Sequence, residues 1–205
     1  MADERPAKRP VSATLAGPYG HPFHPILVTV PIGAWVASLV FDVGSHLVAQ
    51  PAFLAEGSTW LIALGIIGAM IAAMVGFLDL LAIPTGTRAF RTALVHMGLN
   101  LAVTVAYAGN FLWRRAEENL PGAVTIGPLA LSVISLLTLA AAGYLGGMLA
   151  FRYGVRVADE STQDEGYAKR ADDDQPTSSG RHAAPVHPPA GLSAEQAAQR
   201  QGGRS

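Results

Sequence analysis

The sequence predicts an all-α membrane protein: a four-transmembrane-helix bundle followed by a disordered C-terminal tail. Half of the 205 residues are apolar and the mean hydropathy is positive, which is more apolar surface than a soluble domain of this length can cover. From Val11 to Thr87 there is no Lys or Arg, and the only formal charges are Asp42, Glu56 and Asp79. Within residues 18–154 four apolar runs reach the roughly 20 residues that a helix needs to cross a ~30 Å hydrocarbon core.

Two compositional facts narrow the function. Lys plus Arg total 14 against 15 Asp plus Glu, so no basic field draws nucleic acid, and the lipid bilayer is the expected partner. Cysteine is absent, which removes disulfides, thiolate metal sites, thiolate-held iron–sulfur clusters and cysteine nucleophiles. No P-loop, nucleophile elbow, dinucleotide fingerprint or zincin helix is present, so nothing in the motifs argues for an ordinary hydrolase, kinase or dehydrogenase.

Residues 1–17 form a charged arm with Arg5, Lys8 and Arg9, and no apolar core follows at signal-peptide distance, so the arm reads as retained. Span one covers about residues 26–48, with Pro25 and Pro31 near its start, where a missing N–H is tolerated. Asp42 and His46 lie toward its end at i, i+4 spacing, which reads as a local hydrogen bond. Span two, about residues 60–83, repeats Gly68, Ala72 and Gly76 every fourth position; small residues so spaced let helix backbones approach closely in lipid. Asp79 stands one turn before its end. Span three, about residues 92–113, puts His96, Asn100, Tyr107 and Asn110 on one stripe facing its neighbours, and leaves Arg114, Arg115, Glu117 and Glu118 to the link that follows. Span four, about residues 126–151, offers Gly143 with Gly147 and Ala142 with Gly146 as close-packing pairs. Residues 155–205 are the tail, too polar to offset the entropy of folding, with a transient helix over Ser193 to Arg200. His182 and His187 in it receive no role.

Basic residues gather on one side: the arm, Arg88 and Arg91 between spans two and three, and Arg152 with Arg156 after span four. The positive-inside rule then places both termini in the cytoplasm. This topology brings His21 and His24, Asp79 and His96 to one depth from three helices. Ionisable groups inside a span cost ~3 kcal/mol on insertion scales and normally face the bundle interior. Three readings of the layer stand open. His24 and His96, on different helices, can ligate haem iron on both faces, with Asn100 or Asp79 orienting an imidazole. His21, His24, Asp79 and His96 can instead hold another metal ion or relay protons. Or Asp79 accepts hydrogen bonds from His96 or from span one, and the layer only pins helices together. Of the first two imidazoles, His24 borders the span and is the better ligand candidate, since Pro22 and Pro25 keep the pair from sharing a helical face.

Gly20-His21-Pro22-Phe23-His24-Pro25-Ile26-Leu27-Val28 with Pro31-Ile32, then Gly76-Phe77-Leu78-Asp79, then His96-Met97-Gly98-Leu99-Asn100, and finally Gly143-Tyr144-Leu145-Gly146-Gly147 with Tyr153-Gly154-Val155 resemble the bacterial membrane family catalogued as domain of unknown function 2231. The resemblance covers about residues 17–157. It implies a four-span bundle in the bacterial cytoplasmic (inner) membrane, with His24-Pro25, Asp79, His96 and Asn100 at the family's characteristic polar positions. Some relatives are joined to Rieske or cytochrome c-like domains, which favours a redox role, whereas the tail of this chain holds neither cysteines nor a folded module. Family membership leaves the function open, and the histidine layer makes a haem b or quinone-linked electron-transfer component with a redox partner protein the most specific reading. A non-catalytic scaffold or subunit, a proton or metal-ion pathway and a homo-oligomer are the alternatives. Thr29 and Tyr153 stand where many relatives carry His.

Overall fold

The computed structural model describes residues 6–8, 23–117, 122–165 and 167. Among them all regular structure is helical: a 3₁₀ turn at Pro6–Lys8, then α1 (Phe23–Leu27), α2 (Thr29–Ser45), α3 (Ala52–Leu81), α4 (Arg88–Ala116), α5 (Ile126–Phe151) and α6 (Glu160–Glu165). Residues 1–163 make one compact unit; in the second, residues 164–205, the Tyr167 N–H donates to the Asp164 carbonyl at 3.0 Å. His21, Glu118, His182, His187 and the segment from Ser193 to Arg200 lie outside the described residues.

Four spans emerge, each long and apolar enough to cross a membrane: α1 with α2, then α3, α4 and α5. Their outward faces carry large apolar side chains such as Met74, Leu101, Val105 and Leu137, which hydrocarbon accommodates and water does not. Span one is broken because Pro31 has no N–H to offer the Leu27 carbonyl; α1 therefore ends at Leu27 and α2 begins at Thr29. α3 begins at Ala52 rather than near Trp60. The Glu56-Gly57-Ser58 stretch, which reads as a link, is helical because Gly57 and Ser58 face α2. A Cβ on Gly57 would stand 2.9 Å from the Phe41 ring, and the Ser58 side chain is buried. Such packing outweighs weak helix propensity. α4 opens on Thr87, whose hydroxyl oxygen accepts from the Phe90 N–H at 3.1 Å, and it runs on through Arg114 to Ala116.

α2 packs along α3 and α4 along α5, while α3 meets α4 and α2 meets α5. That order sets α2 and α4 on opposite corners, with their inner faces meeting on the bundle axis. Three contacts cross it: Asp42 with Arg114, Trp35 with Tyr107, and His24 with His96. In each, the later partner follows the earlier by 72 positions, the separation between 42 and 114, 35 and 107, and 24 and 96. The hairpins match internally too. The Ser58 hydroxyl of α3 lies 3.0 Å from the Ser38 carbonyl, and Asn110, 72 positions after Ser38, donates to the Ser132 hydroxyl of α5 at 3.0 Å. The spans thus form two hairpins related by a pseudo-two-fold axis along the bundle. On α4 the three levels are separated by roughly 16 and 10 Å at 1.5 Å per residue, together close to the thickness of the hydrocarbon core.

At one end Asp42 is fully buried and Arg114 nearly so. The guanidinium donates to both carboxylate oxygens, Nη1 to Oδ1 at 2.8 Å and Nη2 to Oδ2 at 2.7 Å, while its Nε donates to Asn110 Oδ1 at 2.7 Å. Ser58 donates to Asp42 Oδ1 at 2.5 Å, and the Ser132 hydroxyl receives Nη2 at 3.3 Å. All four spans therefore supply a partner. The local Asp42–His46 bond expected from their spacing does not form this end: His46 is the exposed cap of α2, and the Asp42 carboxylate turns inward to Arg114. In the middle, Trp35 stacks on Tyr107 with centroids 4.3 Å apart and planes 10° from parallel, among Ile62 and Val103. The indole lies on Gly65, where no Cβ would fit.

Replacing Arg114 by Leu is expected to cost about 3–5 kcal/mol, because the Asp42 carboxylate is then buried without a counter-charge. The double variant Asp42→Leu/Arg114→Leu should recover part of that loss, which thermal unfolding of both proteins in the same detergent would read directly.

Candidate functional site

At the opposite end of the axis stand two imidazoles. α1 lays His24 against α3, where its Nδ1 lies 3.0 Å from the Ala72 carbonyl; α4 lays His96 against α5, where its Nδ1 lies 2.8 Å from the Ala142 carbonyl. A carbonyl oxygen only accepts, so each Nδ1 carries the proton and donates, and a neutral ring held in this way has its lone pair on Nε2. The ring centroids are 6.4 Å apart and the planes 80° from parallel.

Both rings rest on glycine. A Cβ on Gly76 would stand 2.9 Å from the His24 ring, and one on Gly146 would stand 3.0 Å from the His96 ring. The small residues of α3 therefore serve the site as well as helix packing: a Cβ on Gly68 would stand 2.8 Å from the Val30 side chain, as one on Gly76 would crowd His24. On α5 the pair that matters is Ala142 with Gly146. A Cβ on Gly143 would meet nothing within 4 Å, and one on Gly147 would meet only Phe151 of its own helix, at 4.0 Å.

Asn100 sits one turn along α4. Its amide nitrogen donates to the His96 carbonyl at 2.8 Å and is nearly equidistant from the two ring nitrogens, 3.4 and 3.3 Å. Equidistance sets it beside the ring rather than on the Nε2 lone pair. Asp79 bonds to neither imidazole; its carboxylate makes an ion pair with Arg156, Nε to Oδ1 at 3.1 Å. Among the described residues no group of three or more His, Asp or Glu is placed to hold a metal ion. Of the four residues read as metal ligands, His24 and His96 come together, Asp79 is taken by Arg156, and His21 lies outside the described residues.

The family model described as predicted membrane protein (DUF2231) matches residues 20–159. The chain belongs to the DUF2231 family. No curated protein and no solved structure gives a significant match.

The DUF2231 match extends past α5, and so does the packed structure. After α5, Gly154 takes a left-handed φ of 67° and the Val155 N–H turns back to the Leu149 carbonyl at 2.9 Å, an ending that favours glycine. Val155 and Tyr153 then pack on Leu80, Ile83, Ala93 and Leu149. Arg156 itself holds a φ of 59°, rare for a residue with a side chain, while its N–H donates to the Ala7 carbonyl at 3.0 Å. Such a backbone costs of order 1–3 kcal/mol and persists only where its surroundings hold it. Residues 155 and 156, assigned by composition to the tail, thus close the histidine end of the bundle.

Of the residues that sequence reasoning singled out, the structure brings His24, His96 and Asn100 together and sets Asp79 against Arg156; Arg156, the place of Gly146 and the carbonyls of Ala72 and Ala142 were not anticipated. Only the 72-residue interval between His24 and His96 offered a signal. Asp79→Asn is expected to release the Arg156 side chain, so backbone amide exchange at Val155 and Arg156 should quicken several-fold while that at Ile62 and Val103 is unchanged, as hydrogen–deuterium exchange in detergent would record.

Proposed function

We propose that this DUF2231 protein is a membrane electron-transfer component in which His24 and His96 would hold one haem b. The observation that carries the reading is the matched pair of imidazoles, each with Nδ1 committed to a backbone carbonyl and the centroids 6.4 Å apart. The two rings stand close enough that His24 and His96 would be the residues to hold such a group. Donor number supports haem over a bare ion. Zinc asks for three or four protein ligands and calcium for six or more oxygens, whereas haem iron asks the protein for two. The donor set present, two neutral imidazoles with lone pairs on Nε2, fits that requirement.

When bound, haem would supply reversible one-electron exchange. The chain's own residues do the rest. The Ala72 and Ala142 carbonyls fix the tautomer of each imidazole and make its Nε2 more basic. Asn100 covers one side of the His96 ring. The Trp35, Tyr107, Ile62 and Val103 layer excludes water between the histidines and the Asp42–Arg114 end. By the positive-inside rule the histidine end faces the cytoplasm of the bacterial inner membrane, and a redox partner protein or a quinone would exchange electrons there.

A second reading has its own observation: the same two imidazole–carbonyl bonds tie α1 to α3 and α4 to α5, as a non-catalytic scaffold would require. One preparation separates the two. Protein purified from haem-replete cells should show a redox-sensitive Soret band that is lost in His96→Ala. A colourless, folded wild type whose His96→Ala variant melts several degrees lower would sink the haem reading in favour of the scaffold.

A further inference from the structure

We infer that Gly76 and Gly146 are positioning residues for the two imidazoles, each acting through the histidine that rests on it. The inference rests on the haem reading only for its last consequence, ligand binding; the cradle itself stands on the hydrogen bonds and the glycine contacts.

The same device occurs twice. On α3 the carbonyl of Ala72 holds His24 Nδ1, and the glycine four positions later, Gly76, lies under the ring; on α5 the carbonyl of Ala142 holds His96 Nδ1, and the glycine four positions later, Gly146, lies under that ring. Residues four apart share a helix face, so carbonyl and glycine form one seat about a turn long. The orientation in the seat is also the same. A Cβ on Gly76 would stand 2.9 Å from His24 Nδ1 and 3.6 Å from Nε2; one on Gly146 would stand 3.4 Å from His96 Nδ1 and 3.8 Å from Nε2. In both rings Nε2 is the nitrogen turned away from the helix that holds it. A Cβ on Gly76 would force the His24 ring to shift and one on Gly146 would press the His96 ring by a few tenths of an ångström, straining the Nδ1 bond and turning the lone pair.

The two seats belong to different hairpins and are related by the pseudo-two-fold axis. General loosening of one helix would not produce matched distances on two. Helix packing alone does not explain the glycines either, since Gly143 on the same helix as Gly146 faces open space.

The test uses the full chain in detergent or nanodiscs with ¹⁵N-labelled histidine. Wild type should give His24 and His96 as Nδ1–H tautomers. Gly76→Ala should alter the His24 signals alone and Gly146→Ala the His96 signals alone, with Gly143→Ala as wild type. Where a variant is too unstable to label, the double-mutant cycle decides: the loss of melting temperature in Gly76→Ala should largely vanish in a His24→Ala background, and likewise Gly146→Ala in His96→Ala. Titration with hemin should show each glycine variant binding about 10–100-fold more weakly than wild type, the range for groups that orient ligands. Unchanged ring signals in both variants, or melting losses that persist after the histidine is removed, would overturn the inference. A wild type that binds no hemin would overturn the proposed function while leaving the tautomer signals and the cycle to decide on the glycines.

Discussion

A guanidinium buried between the ends of four apolar helices has five N–H donors to satisfy and little solvent within reach. Arg114 meets this demand with Asp42 from α2, Ser58 from α3, Asn110 from its own helix and Ser132 from α5. No other arrangement of the helices brings those groups together, so the ion pair sets the register of the whole bundle. Its net contribution to stability is a separate matter, since desolvating both charges offsets much of their attraction. What the pair excludes is a sliding or rotated helix, which would leave a buried charge unpaired.

The pseudo-two-fold explains why three such different contacts share one line. Across a symmetry axis each residue meets its own counterpart, and the chain resolves that encounter differently at each level. Two carboxylates or two guanidiniums facing each other would repel in a low dielectric; Asp42 opposite Arg114 converts the encounter into attraction. Trp35 opposite Tyr107 fills the centre with two flat rings in van der Waals contact. Of the three levels, only that of His24 and His96 keeps the same residue type on both sides of the axis. The two polar ends are separated by the layer of Trp35, Ile62, Val103 and Tyr107, in which the indole N–H and the phenol hydroxyl donate to backbone carbonyls.

The site end shows how little of a membrane site is side-chain chemistry alone. Each histidine is held by a carbonyl that helix geometry leaves able to accept a second hydrogen bond, and by the absence of a Cβ one turn away. Asp79, which shares their depth, is drawn instead to Arg156, whose strained backbone is kept in place by its N–H bond to Ala7 and by the packing of Val155. The segments before α1 and after α5 thus meet over the same end of the bundle.

By itself the sequence determined the class of protein, the number of spans and the depth at which His24, Asp79 and His96 lie, because hydrophobic length and charge exclusion act on single segments and leave their mark locally. Asn100 and His96 were legible as neighbours for the same reason, being four apart on one helix. Only the tertiary structure decided which polar groups meet. Asp42 finds Arg114, not His46, and Asp79 finds Arg156, not an imidazole, because a buried charge seeks whichever counter-charge packing brings within reach, however distant along the chain. The histidine stretch at the start of span one supplies only His24; its carbonyl partner on α3, and that of His96 on α5, hold the two rings beside each other, which no single segment reveals.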